Sequence, residues 1–284
     1  MIGPLRLIGD LGRALDVVGR RLRGDYDEDE WGFDPSFAAA AEPLLSFLYE
    51  RWWRVTATGT EHVPREGRAL LVANHAGVLP WDAAMMATAL HRAGLDGGGG
   101  RVRFLVLDWA FGLPWASVAI RRNGGVPASP YNALRLLEQD HLVMVFPEGA
   151  KGVGKPWSER YRLQRFGRGG FVEIALRTGA PIVPCAVVGS EEIYPKLGEI
   201  PGVAKLLGAP YMPITPTFPL LGPFGAIPLP SRWRIAFGAP IALGGLGPDD
   251  ADDRATVLEV AEEVRHRIQG MVYDNLIERQ GAFR

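Results

Sequence analysis

The chain has 284 residues, of which 47% are hydrophobic, enough to bury a substantial core in one long domain. Its 31 Lys and Arg are balanced by 32 Asp and Glu, and a net charge of -1 gives no reason to expect nucleic acid as a partner. The single cysteine, Cys185, excludes an internal disulfide framework. Uninterrupted apolar runs of about 18 residues, the length needed to cross a bilayer, do not occur, so any membrane contact is expected to be peripheral.

Residues 2–23 read as an amphipathic helix. Leu5, Ile8, Leu11, Leu15, Val18 and Leu22 share one side, and Arg6, Arg13, Arg20 and Arg21 lie opposite. This pattern suits a helix lying in a membrane interface, and equally one packed on the protein's own core. The start lacks the apolar run and cleavage site of a signal peptide. Asp25 to Glu30 reads as a solvated acidic loop. A second helix opens with Asp34 as N-cap and Pro35 in the first turn, and runs to about Arg51. From residue 53 short apolar runs alternate with helical stretches. Strands are predicted over Arg54–Thr58, Ala69–Ala73, Val102–Leu107, Leu142–Phe146, Ile182–Val187 and Trp233–Phe237, and helices over 82–93, 109–120, 131–139, 168–178 and 251–278. Several strands are apolar on both faces, which suits a sheet covered by helices on either side. Asp96 to Gly100 is a flexible glycine loop. Residues 200–230 form an insert rich in proline, glycine and large apolar groups, too interrupted for a helix. The last helix carries Val257, Ala261, Val264, Ile268 and Met271 on its core face.

Two strand ends carry the candidate chemistry. Val72 and Ala73 lead into Asn74-His75, and Asp82 follows at a helix start. Histidine titrates where a general base is needed near neutral pH, and an acidic partner can hold its tautomer. Val143 to Phe146 lead into Pro147-Glu148-Gly149, followed by Lys151, a cation suited to a phosphate. Either segment alone also fits a plain turn.

Together these segments resemble the glycerophospholipid acyltransferase superfamily, which includes the lysophosphatidic acid acyltransferases. That family shows N-H-x4-D and, downstream, F-P-E-G-T-R. Asn74-His75 and Phe146-Pro147-Glu148-Gly149 match, and Lys151 stands where the family has arginine. Gly124-Gly125-Val126-Pro127 looks like the family's middle block, and Ala180 to Ala186 resembles its fourth. The blocks keep the family order over residues 53–240, and an ordered set is far more specific than one motif. The resemblance implies an α/β fold with a mixed, mostly parallel sheet flanked by helices, the glycerol-3-phosphate acyltransferase-like fold. A membrane-associating two-helix element over residues 1–52 would precede the α/β domain of residues 53–284.

The resemblance also implies transfer of a fatty acyl group from acyl-CoA or acyl carrier protein to a hydroxyl of a lysophospholipid or other lipid alcohol. It implies no metal or further cofactor. The protein would be cytoplasmic, peripheral on the inner face of the membrane. His75 is the implied base, aligned by Asp82. Asn74, Arg121, Arg122, Pro147, Gly149 and Lys151 are the implied substrate-binding residues. The sequence departs from the family in two places. Six residues separate His75 from Asp82 instead of four, which leaves Glu148 as the alternative partner of the ring. Ala128-Ser129 occupies the place of the arginine that ends the middle block, and Arg121-Arg122 lie upstream instead. The insert 200–230 is the candidate groove for the acyl chain.

Other chemistries fit less well. Gly149 to Lys155 nearly spells a phosphate-binding loop, but Pro156 stands where Ser or Thr must ligate magnesium. No G-x-S-x-G elbow of a serine hydrolase occurs. His62, His91, His141 and His266 lack metal-ligand spacing. The non-enzymatic alternative is a lipid-binding protein on a degenerate acyltransferase core.

Overall fold

The computed structural model describes residues 27–76, 79–96, 102–112, 116–200 and 212–279, with a few isolated positions besides. Most of the predicted helix 2–23, the glycines 97–100 and residues 203–211 of the insert lie outside these. Among the described residues nine strands are formed: β1 (Thr56–Thr58), β2 (Ala69–Ala73), β3 (Arg103–Val106), β4 (Gly125–Pro127), β5 (Leu142–Val145), β6 (Ile182–Val188), β7 (Gly198–Glu199), β8 (Pro213–Ile214) and β9 (Arg234–Phe237). Seven of them make one sheet in the order β1-β9-β6-β2-β5-β3-β4, and β7 and β8 pair separately. Every pairing in the large sheet is parallel except β6 with β9. The expected mixed, mostly parallel sheet is therefore the fold.

The helices are α1 (Pro35–Phe47), α2 (Trp81–Arg92), α3 (Ala116–Arg122), α4 (Pro130–Glu138), α5 (Gly149–Val153), α6 (Gly170–Thr178) and α7 (Arg254–Glu278). The side chain of Asp34 accepts from the Phe37 N–H at 2.9 Å, so the predicted cap of α1 forms. The period-two alternation of each central strand splits its side chains between two cores. Leu70, Val72, Val143 and Val145 pack under α4, α6 and α7, while Leu71, Ala73, Leu142 and Met144 pack under α2 with Trp53 and Trp233. Each buried Leu, Val or Met among these contributes roughly 1.5–3 kcal/mol. Val257, Ala261, Val264 and Ile268 of α7 join the first of these cores, and Met271 packs against it.

Four expectations are corrected. The helix predicted over 109–120 is a 3-10 turn, Asp108–Gly112, followed by α3, because Gly112 and Pro114 interrupt the apolar pattern. The sequence showed no strand at Gly125–Pro127. This edge strand pairs with β3 alone and so tolerates a proline. Glycines 149 and 152 hid α5 in the same way. The acidic segment read as a solvated loop is a clamp: Glu28 pairs with Arg122, Asp29 with Arg103, and Glu30 with Arg135. Arg103 is 1% exposed, so Asp29 is the counter-charge that makes its burial tolerable.

Candidate active site

β2 and β5 are parallel neighbours, with Val72 opposite Val145. Their carboxyl ends therefore deliver His75 and Glu148 to the same edge of the sheet, where ligands bind in open α/β folds. Asp82 sits in the first turn of α2, whose helix dipole favours a carboxylate. It folds back so that one oxygen, Oδ2, accepts the His75 Nδ1–H at 2.9 Å and the Ala76 backbone N–H at 2.8 Å. The longer spacing does not prevent the contact. An imidazole that donates from Nδ1 carries its lone pair on Nε2.

Glu148 has a different task. Its Oε1 accepts the His75 backbone N–H at 3.0 Å, and its Oε2 accepts the Gln164 N–H at 2.7 Å. Lys155 Nζ lies 3.4 Å from Oε2 and donates to Glu191 at 2.9 Å. Glu191 also accepts the Tyr161 N–H at 2.7 Å. Glu148 thus fixes the main chain of the histidine, while Asp82 alone meets the ring. Flanking carboxylates hold the Lys155 ammonium above its ordinary range despite the opposing effect of burial. Asn74 completes the β2–β6 ladder: its amide donates to Val187 O at 2.9 Å and accepts the Val187 N–H at 2.8 Å.

The His75 ring lies 4.7 Å from that of Phe146 and is 14% exposed, whereas Asp82 is fully buried. The ring faces a pocket of about 240 Å³ walled by Phe104, Trp109, Phe146, Phe166 and Phe171. Ala128, Pro147, Gly149 and Arg168 complete it. A carboxylate-braced imidazole open to a mostly apolar cavity is equipped to take a proton from a hydroxyl.

The sequence profile of the Acyltransferase family matches residues 54–188, the span holding both motifs. The uncharacterized protein Rv0502 of Mycobacterium tuberculosis is 51% identical over 282 residues, covering 96% of this chain and 77% of that protein. The chain belongs to the glycerophospholipid acyltransferase superfamily. The crystal structure of the 1-acyl-sn-glycerophosphate (LPA) acyltransferase PlsC from Thermotoga maritima is similar to this fold, with a TM-score of 0.54 at 17% identity over 97% of each chain. The cattle DGAT1/2-independent enzyme synthesizing storage lipids is 24% identical over 225 residues, 78% of this chain and 60% of its own.

The remaining motif residues of this acyltransferase are scattered. Arg122 is held by Glu28, and Arg121 stacks over Phe111 with its guanidinium carbon 5.6 Å from the ring centre. Neither lines the His75 pocket, and neither does the exposed Lys151. Lys155 and Gln164 brace Glu148, and Arg168 lines the pocket; the glycine-rich loop at Lys155 pointed to a different chemistry, and Gln164 and Arg168 carried no local signal. Two further apolar cavities flank the histidine loop. One, about 350 Å³, runs between α1, α2 and α3 and shares Pro80 and Phe104 with the His75 pocket. The other, about 250 Å³, lies under the insert, with Met212 and Phe218 in its wall. Among the described residues, no group of three or more His, Cys, Asp or Glu is placed to hold a metal ion, and no helix is long and apolar enough to cross a membrane.

Proposed function

We propose that this acyltransferase moves a fatty acyl group from a thioester, carried by CoA or acyl carrier protein, to the hydroxyl of a neutral lipid alcohol at a membrane surface. His75 Nε2 takes the hydroxyl proton as the oxygen attacks the thioester carbonyl. The carbon–sulfur bond breaks, and the departing thiolate receives that proton from the imidazolium. Asp82 stabilises the imidazolium meanwhile, and general-base assistance of this kind contributes about 10²–10⁴-fold. The single observation behind the proposal is the Asp82–His75 pair opening onto an apolar pocket that adjoins a second apolar cavity. In this reading the groove between α1, α2 and α3 holds the acyl chain. It shares Pro80 and Phe104 with the His75 pocket, whereas the cavity under the insert shares no lining residue with it.

A neutral acceptor is supported by the absence of the middle-block arginine. Ala128 lines the pocket where the family's middle block ends in arginine, and Arg121 and Arg122 are engaged elsewhere. The storage-lipid enzyme among the relatives fits the same reading. The amphipathic segment 2–23 would supply contact with the inner face of the membrane.

The test is to incubate the protein with palmitoyl-CoA and vesicles containing a long-chain alcohol, diacylglycerol or lysophosphatidate, and to identify products by mass spectrometry. Esters of the neutral alcohols are expected. Acylation of lysophosphatidate alone would refute the neutral acceptor. Lipid binding with no thioester consumed would favour the non-catalytic alternative.

A further inference from the structure

An arginine cluster borders the mouth of the His75 pocket, and nothing described above uses its charge. Arg168 lines the pocket itself. Arg165 and Arg265 line an adjoining recess that shares Phe166 and Gly167 with it. Glu262 takes up Arg265 through hydrogen bonds of 2.9 and 2.5 Å. Arg165 and Arg168 are exposed, and neither side chain makes a hydrogen bond or close ion pair among the described residues, although the Glu262 carboxylate in the same recess acts on Arg165 through space.

These two arginines are held in place. Phe166 between them is 4% exposed and packs edge-on against Phe171, ring centres 6.0 Å apart. Gly167 and Gly169 adopt φ of 52° and 83°, conformations that let the chain double back around the buried ring. Arg254 donates to the Arg168 carbonyl at 3.4 Å. A buried anchor with an exposed guanidinium on either side, at the entrance of an apolar pocket, suits a ligand with an anionic end and an apolar end. Guanidinium forks match phosphate oxygens in pairs.

Resting on the acyl-transfer reading, we infer that Arg165 and Arg168 bind phosphate on the phosphopantetheine arm that carries the acyl thioester. The donor then enters over α6 and α7, and its acyl chain runs past His75 toward the groove between α1, α2 and α3. CoA and acyl carrier protein present the same arm. Lys151, which the sequence offered for this task, stands outside the pocket.

The experiment compares the wild type with the double variant Arg165→Ala/Arg168→Ala on palmitoyl-CoA, palmitoyl-carrier protein and palmitoyl-N-acetylcysteamine, a thioester without phosphate. The KM for palmitoyl-CoA should rise about tenfold or more, and by far more than the KM for the phosphate-free donor. A matching rise for the carrier-protein donor assigns the site to the shared arm, and a rise for CoA alone assigns it to CoA. Equal effects on all three donors, or none on any, overturn the assignment. Calorimetric titration with CoA alone needs no turnover and separates the two proposals. Weakened CoA binding in an enzyme that turns over no donor keeps the phosphate site and removes the acyl-transfer reading. CoA binding that is absent, or unchanged in the variant, removes the phosphate site.

Discussion

Substituting Asp82→Asn separates two tasks of the carboxylate, orientation and charge. One oxygen accepts both the Ala76 N–H and the His75 ring N–H, while Oδ1 is buried without a partner. An asparagine has two ways to fit. With its oxygen at the shared position, both bonds survive and the amide NH2 takes the place of an atom that already lacked a partner. With its nitrogen there, two N–H groups oppose each other at Ala76, and the buried backbone donor loses its acceptor at a cost of about 1–3 kcal/mol. The first orientation wins, so the proton stays on Nδ1 and Nε2 keeps its lone pair. Only the negative charge that stabilises the imidazolium is lost. Hydrogen bonds to charged groups contribute about 1.5–3 kcal/mol, which converts to a fall in kcat of about 10- to 150-fold. Release of free thiol from palmitoyl-CoA, followed with a chromogenic disulfide, measures it. A loss near 10⁴-fold, the size seen when an asparagine reverses the tautomer in a Ser-His-Asp triad, would refute the reasoning. So would full activity.

Three other outcomes are expected. Lys155→Met strips the cation from between two buried carboxylates and should destabilise the fold by about 3–5 kcal/mol, read as a lower urea midpoint. Burial already holds the Glu191 carboxyl above its ordinary range. Its charged form is therefore the costly one, so stability is lost as pH rises through the folded value, and the deficit of Lys155→Met should shrink toward acid pH; a pH-independent deficit would contradict the pairing. Burial also pushes the Cys185 thiol far up, so the native protein should not react with a thiol-specific disulfide until guanidinium unfolds it, and a fast native reaction would contradict its place in β6. Ala84→Leu, which narrows the groove between α1 and α2, should shift donor preference from palmitoyl toward shorter chains in a competition assay. An unchanged chain-length profile would move the acyl chain elsewhere.

The positions of His75 and Glu148 were legible because an apolar strand that stops at a polar pair is a local signal. So was the N-cap at Asp34. The parallel pairing that brings the two strand ends together is not local, but the order of the motifs carried it. Long-range charge pairing left no trace. Lys155 reads as a loop lysine in a glycine-rich stretch, yet it is 4% exposed between carboxylates of two other segments. The acidic run at Glu28 to Glu30 reads as solvated because its arginine partners sit far along the chain. Asn74 reads as a ligand-binding residue of a motif, while its amide is spent on the backbone of β6. β4 and α5 were missed because glycine and proline suppress the local pattern, and tertiary pairing overrides it.

The most direct measurement is thioester turnover by His75→Ala beside the melting curve of the same protein. The ring is partly exposed and makes a single hydrogen bond, with Asp82, which keeps the Ala76 N–H, so the variant should still fold, with a modestly lower Tm. Its thiol release in the presence of the acceptor should fall by at least about 10²-fold, to the level without enzyme. Wild-type turnover in a folded His75→Ala protein would show that proton transfer does not pass through this imidazole.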